Sequence, residues 1–292
     1  MRSAFRITVI LFQAAVLPLA GGQREAAPAV VRQADLKSPG YPAYESASAL
    51  FAANRMTESE AALDEALRLD PKLVPALTLK AKLAMLENRY VLARQTLEQA
   101  LRVAPSSWYA QFLYGMQYYL GNEMQLAQKP LETARKLNPR DPRAAVYLGL
   151  TYESVGRTTE ALALYAEARR LEEATGESHA DTLLIGARLL QLMDRLDDSG
   201  EWTHAALKLE PQSRDVRFEL ARLLLKKGDA RGAIAEGEAA LRLSGAEVAD
   251  RQVHYLLVRA YRANGQDDQA SRHAEVLRSI ESPASSRESV RK

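Results

Sequence analysis

The apolar residues of the chain fall into amphipathic helical segments that come in pairs and repeat at a fixed interval. Three of these segments end in the similar sequences AALDEALRLDP, RQTLEQALRVAP and PLETARKLNP, so that Pro71, Pro105 and Pro139 stand 34 residues apart. Proline ends a helix because it disfavours the helical conformation in the residue before it. A fixed period of this length predicts a stack of helix pairs, each in contact with its neighbours only.

The pattern of small and large residues continues beyond the third proline and defines seven units between residues 40 and 284. Pro211 closes the fifth unit, whereas the fourth, sixth and seventh units keep the pattern without such a proline. We predict units over about 40–73, 74–107, 108–141, 142–175, 180–213, 214–247 and 251–284. A linker over 23–40 precedes them, and a short polar tail over 285–292 is predicted to be disordered.

Two local signals make predictions about individual second helices of the pairs. In the first unit, Thr57 is followed by Glu60, which predicts a capping box at the start of the helix. In the third unit, Pro130 falls inside the second helix and predicts a kink or a late start, because proline lacks the backbone N–H that the helix needs.

The placing of small residues in these pairs resembles the tetratricopeptide repeat family. The resemblance covers about residues 40–284 and implies an all-α, right-handed superhelical solenoid of about seven antiparallel helix pairs, with the first helices on the concave surface. Ser59 and Ser199 replace the small alanine at one position, which is a mild departure. The small residues of the first helices are Ala47, Ala81, Gly115, Gly149, Ala187 and Ala221, and those of the second helices are Ala93, Ala127, Ala161, Ala233 and Ala270.

The N-terminus has the pattern of a secretory signal peptide. Arg2 and Arg6 precede the apolar stretch ITVILFQAAVLPLA, which is followed by small residues before Gln23. We predict a signal peptide over residues 1–22 and an exported chain, periplasmic or secreted, without a membrane span after cleavage. An uncleaved N-terminal anchor is the alternative. The sequence has no cysteine, which excludes disulfides, thiolate metal sites and lipid attachment through cysteine.

The remaining composition gives no sign of catalytic chemistry. Without residues 1–22 the chain has equal numbers of basic and acidic residues, so charge does not favour a nucleic-acid ligand. No zinc-protease, phosphate-loop or nucleophile-elbow motif is present. The four histidines, His179, His204, His254 and His273, are expected to be solvated. We therefore predict no enzyme activity, no cofactor and no metal.

The resemblance implies a ligand groove lined by particular positions of the first helices. Carried over to this sequence, these positions are aromatic toward the N-terminus and basic, with two aromatic residues, toward the C-terminus; the second unit adds Thr78, Lys82 and Met85. Aromatic rings suit extended peptides and arginines suit carboxylates. The candidate groove residues are Tyr41, Tyr44, Phe51, Tyr109, Phe112, Met116, Tyr119, Arg188, Phe218, Arg222, Tyr255, Arg259 and Arg262.

The predicted function is a non-catalytic scaffold that binds a protein or peptide, apolar at one end and acidic at the other. Several alternatives stay open at this point, and one of them is an enzyme with an unrecognised site. The cluster of Tyr109, Phe112, Met116 and Tyr119 could instead fill the core between helices, and the protein could be a cell-envelope accessory that engages glycan or polysaccharide assembly machinery. An apolar flank on the seventh unit could also support self-association.

Overall fold

The structure is a computed structural model, which describes residues 31–243 and 248–281. The predicted signal peptide, the first part of the linker and the polar tail lie outside these residues. The described residues contain fourteen α-helices and no strand. The predicted all-α architecture of successive helix pairs is confirmed.

The described residues form two compact units, which divide between Glu177 and Ser178. The N-terminal unit, residues 31–177, begins with a 3-10 helix, Asp35–Lys37. Its four helix pairs are α1 (Tyr41–Ala52) with α2 (Met56–Leu69), α3 (Val74–Leu86) with α4 (Tyr90–Val103), α5 (Trp108–Leu120) with α6 (Met124–Leu137), and α7 (Pro142–Ser154) with α8 (Thr158–Thr175).

The C-terminal unit, residues 178–243 and 248–281, holds three helix pairs. These are α9 (Ala180–Leu192) with α10 (Leu196–Leu209), α11 (Arg214–Lys226) with α12 (Ala230–Leu241), and α13 (Asp250–Ala263) with α14 (Asp267–Glu281). In both units each first helix packs against its own second helix and also touches the first helix of the next pair. The first helices of a unit therefore share one surface.

Small residues allow the two helices of a pair to approach closely. Ala47, Ala81 and Ala187 are completely buried. At Gly149 a Cβ atom would come within 2.5 Å of the Tyr165 ring, so this crossing has no room for one. The hydroxyl of Ser59 donates a hydrogen bond to the carbonyl of Ala47 at 2.8 Å. Ser199 makes the same bond to Ala187 at 3.0 Å, so serine ties the helices together where alanine only fills space.

The capping box predicted for the first unit and the late start considered for the second helix of the third unit are both wrong. Helix α2 starts at Met56, and its N-cap residue Arg55 makes no side-chain cap hydrogen bond, so Thr57 lies inside the helix and forms no capping box. Arg55 pairs instead with Glu58. Helix α6 does not start late, because it begins at Met124 and contains Pro130, which is buried. A kink at Pro130 stays a prediction.

Candidate functional site

Most of the predicted aromatic groove residues of the N-terminal unit are packed against the chain itself. Tyr41, Tyr119 and Lys82 are half-buried, and the Lys82 ammonium lies 4.9 Å from the centre of the Phe51 ring. The other predicted groove residues of this unit are buried and expose less than a tenth of their surface. They are Tyr44, Phe51, Thr78, Met85, Tyr109, Phe112 and Met116.

The aromatic rings of α5 continue onto α7 through Tyr147, which the sequence reasoning missed. The centre of the Tyr147 ring lies 5.5 Å from that of Phe112 and 5.8 Å from that of Tyr119. Edge-to-face pairs of this kind add stability beyond the area they bury. Desolvation in this cluster raises the pKa of Tyr109 to about 12. The burial favours the alternative that these rings fill the core between neighbouring helices.

Arg143 covers this aromatic cluster. Its guanidinium lies 5.4 to 5.6 Å from the ring centres of Trp108, Tyr109 and Phe112, within reach of a cation–π interaction. Asp141 caps α7 and pairs with the same guanidinium at 2.6 Å. The cluster thus ends in a neutralised cation, and little ring surface is left for a ligand.

The basic residues predicted for the C-terminal unit include an exposed face on α13. Tyr255 exposes 61% of its side chain, and Arg259 and Arg262 are exposed as well. They stand four and seven residues after Tyr255, which places the three side chains along one side of the helix. Within the described part of the chain, neither arginine forms an ion pair or a hydrogen bond through its side chain.

Arg188 and Arg222, on α9 and α11, meet at a buried carboxylate. Glu219 is 1% exposed and accepts hydrogen bonds from Arg188 Nε at 2.8 Å and from Arg222 Nη1 at 2.9 and 3.0 Å. The trio keeps one net positive charge. Glu219 is not among the groove residues predicted from the sequence. Phe218, beside it, is buried in the core with Leu256 and belongs to the packing.

The expectation that all four histidines are solvated is wrong for two of them. His254 on α13 and His273 on α14 face each other, with their Nδ1 atoms 2.8 Å apart. His204 is exposed and bonds through Nδ1 to the carbonyl of Gly200. The sequence gives no hint of the pair, because its members are 19 residues apart on different helices.

Neither a metal site nor a membrane segment is found in the described part of the chain. Across 31–243 and 248–281, no group of three or more His, Asp or Glu side chains could hold a metal ion. None of the helices in these ranges has the length and apolar character needed to cross a membrane.

The comparison with protein families finds one match. A model of the tetratricopeptide repeat matches residues 78–129, 117–176 and 202–248, which together take in half of the chain. No curated protein is significantly similar in sequence.

Several solved structures share the fold. The pilF protein of Pseudomonas aeruginosa is 18% identical over 71% of this chain and 91% of its own, with a TM-score of 0.62. PilW, a type IV pilus biogenesis factor, is 19% identical over 73% of this chain and 96% of its own, with a TM-score of 0.65. A tetratricopeptide repeat protein of Parabacteroides merdae is 16% identical over 84% of this chain and 94% of its own, with a TM-score of 0.60.

Proposed function

Because the chain belongs to the tetratricopeptide repeat family, we propose that it is a non-catalytic scaffold that binds a protein or peptide on the surface of its first helices. The observation that carries this proposal is the exposed face of Tyr255, Arg259 and Arg262 on α13. An exposed ring beside two arginines suits an extended protein segment that carries carboxylates.

The chemistry of this face favours an acidic ligand. A guanidinium presents several N–H donors in a fixed plane and can hold a carboxylate with two parallel hydrogen bonds. The Tyr255 ring offers apolar area at a small entropic cost, because it has only two rotatable side-chain bonds. We therefore propose a segment in which acidic and apolar residues alternate.

Arg222 extends the proposed site onto α11, which packs beside α13. Glu219 occupies one edge of the Arg222 guanidinium, and 39% of the Arg222 side chain stays exposed. A side chain already fixed in place loses less conformational freedom when a ligand binds. Arg222 is thus a preorganised donor, and Arg188 supports it through the same carboxylate.

Charge reversal on α13 tests the proposal. The probe is a fluorescein-labelled peptide of alternating glutamate and leucine, with a glutamine–leucine peptide for comparison. We expect Arg259→Glu and Arg262→Glu each to weaken binding of the acidic peptide about tenfold at low salt, because each replaces an attraction by a repulsion. Fluorescence anisotropy in about 20 mM and about 300 mM NaCl measures the dissociation constants, since salt screens such charges.

The matched control is Arg231→Glu, which makes the same charge change at an exposed position of the second helix α12. It should leave the affinity within about twofold, because α12 is a second helix and does not belong to the proposed surface of the first helices. Equal affinities for the glutamate and glutamine peptides, or equal losses in the control, would contradict an acidic ligand at α13.

A glycan ligand has less support. It would need exposed rings to stack on sugars, whereas Tyr109 and Phe112 are buried and Arg143 covers them. Affinity that depends on aromatic residues and is insensitive to salt would favour it over the acidic peptide.

We also propose that the chain is exported to the cell envelope. The support is the signal-like pattern of residues 1–22, together with a fold shared with a type IV pilus biogenesis factor. N-terminal sequencing of the protein recovered from the periplasm would begin at Gln23 if the signal is cleaved as proposed.

Self-association through the seventh unit, where Val276 and Ile280 are partly exposed, stays a proposal as well.

A further inference from the structure

We propose that His254 and His273 form a pH-sensitive latch that holds the last helix, α14, on α13 and releases it when both imidazoles are protonated. The inference concerns the helix pair itself and does not depend on which ligand the protein binds. It rests on the positions of the two rings and of the groups around them.

The two rings share one hydrogen bond. Their Nδ1 atoms are 2.8 Å apart and their ring centres 5.0 Å apart. At that distance one nitrogen must donate and the other must accept, so there is room for one proton between them. Two neutral rings or one neutral and one charged ring satisfy this bond. Two imidazolium rings cannot, because two N–H groups would point at each other.

His273 is held in this orientation from two further sides. Its Nε2 lies 3.2 Å from Glu238 Oε1 on α12. Tyr261 on α13 stacks on the same ring with centres 5.4 Å apart, and its hydroxyl donates to Glu238 Oε1 at 3.0 Å. Because the Glu238 carboxylate holds Nε2 of His273, the Nδ1 atom of the same ring faces His254.

The charges around the pair are mixed. His254 faces the carboxylates of Asp250 and Glu238, which favour its protonation, and Arg214 on α11 and His273, which oppose it. Desolvation is the largest influence, and with the repulsion from His273 it lowers the pKa of His254 below 6.5. The carboxylates therefore support the first proton on the pair but do not offset the cost of the second.

Release of α14 takes up a proton, and this fixes the sign of the effect. The folded pKa of His254 is lowered, so the contribution of the latch is fully present above about pH 6.5 and is lost as the pH falls through the folded pKa. Helix α14 is the last described helix and packs mainly on α13. It can open locally without unfolding the unit, as terminal elements commonly do.

Hydrogen exchange on the full chain, read by mass spectrometry, tests the latch. Labelling times are scaled to the intrinsic exchange rates at about pH 7.5, 6.5 and 5.5, a range that spans the ordinary titration of histidine. We expect the amides of residues 267–281 to open about fivefold more often at the lowest pH than at the middle one, while those of α12 keep their protection, because the open state alone accepts the second proton. Unchanged protection of α14 across this range would overturn the proposal.

The variant His254→Asn separates the latch from general acid sensitivity. An asparagine amide can still donate to Nδ1 of His273 but cannot take a proton, so α14 should stay protected at the lowest pH. His204→Asn, at an exposed histidine of the same unit, should behave as the wild type does. Loss of α14 protection in acid by the His254→Asn protein would refute the role of the pair.

Proton NMR of the wild-type imidazoles gives a second reading that does not depend on a variant folding. The pair should titrate in two separate steps, the second below the range of an ordinary histidine, because the two sites are coupled. Titration of both rings with one shared midpoint near about 6.5, the ordinary histidine value, would also overturn the latch.

Discussion

At the scale of single residues, the constant feature of the helix pairs is a backbone angle at the turn between the two helices. Asn54, Asn88, Asn122 and Asp194 have φ between 59° and 62°, in the left-handed region. Glycine takes this place in the other three described pairs, at Gly156, Gly228 and Gly265. Asparagine, aspartate and glycine are the residues that tolerate this conformation best. The identity of the side chain therefore varies while the angle is kept.

Substitution of Asn88 tests this constraint. Asn88→Ala should lower the free energy of unfolding by about 1 kcal/mol, because a left-handed conformation is costly for alanine. Asn88→Gly should be neutral or nearly so, since glycine adopts that angle freely. Urea denaturation followed by circular dichroism measures both.

The control for this prediction is Asn264→Ala, at a turn residue whose φ is −93°. Here alanine fits the backbone, and we expect a change below about 0.5 kcal/mol, as for most surface substitutions. If alanine were equally harmful at both sites, the asparagine side chain and not the angle would be what matters.

At the scale of helices, stability depends on how closely a first helix approaches its partner. Gly149 lies against the fully buried Tyr165, whose hydroxyl donates to Glu153 at 2.8 Å. The equivalent places two units earlier hold Ala81 and Leu97. A leucine on the second helix thus leaves room for an alanine on the first helix, whereas Tyr165 does not.

Gly149→Ala should destabilise the protein by about 1–3 kcal/mol, because a Cβ in this crossing forces the Tyr165 ring to move. Adding Tyr165→Leu to Gly149→Ala should recover part of the lost stability. The double variant has an alanine and a leucine at this crossing, as the second unit has in Ala81 and Leu97. Urea midpoints of the single and double variants measure this.

Gly200→Ala provides the comparison, since a Cβ there meets only Leu223, at 3.7 Å. It lies in the interior of α10 and should raise stability by up to about 1 kcal/mol through helix propensity. A similar loss at Gly149 and Gly200 would show that the Tyr165 contact is not the cause.

At the scale of the whole molecule, the sequence predicts the fold better than the site. The period of 34 residues and the small residues reveal the helix pairs, because both arise from contacts between neighbouring segments. The Glu219 carboxylate joins Arg188 across 31 residues, and that bond depends on which first helices lie side by side. Burial of Tyr109 and Phe112 likewise depends on Tyr147 of the next pair, which no pattern within one pair contains.

Glu219 affects both the stability of the protein and its affinity for the acidic peptide. Its replacement by glutamine should lower the stability and raise the affinity. Glu219→Gln should lower the free energy of unfolding by about 1–3 kcal/mol, because two arginines lose their shared charged partner. The same change leaves the trio with one more net positive charge, so the glutamate–leucine peptide should bind several-fold more tightly at low salt. Denaturation and anisotropy on the same preparation measure both effects.

Glu236→Gln serves as the control, because Glu236 on α12 pairs with Arg217 at 2.8 Å and both side chains are partly exposed. Exposed pairs contribute little, so stability should fall by less than about 1 kcal/mol and affinity should not change. Equal gains in affinity for both variants would mean that overall charge, and not the α11 arginine, attracts the peptide.

The shared turn angle has a consequence for rearranging the protein. Deletion of residues 89–122 would remove one period and join Asn88 directly to Glu123, the residue that normally follows Asn122. The new junction would again place an asparagine of left-handed backbone before a second helix. Deletion or duplication of a whole period between two such turns therefore recreates a turn that the protein already contains. The number of helix pairs can change in this way without a new kind of junction.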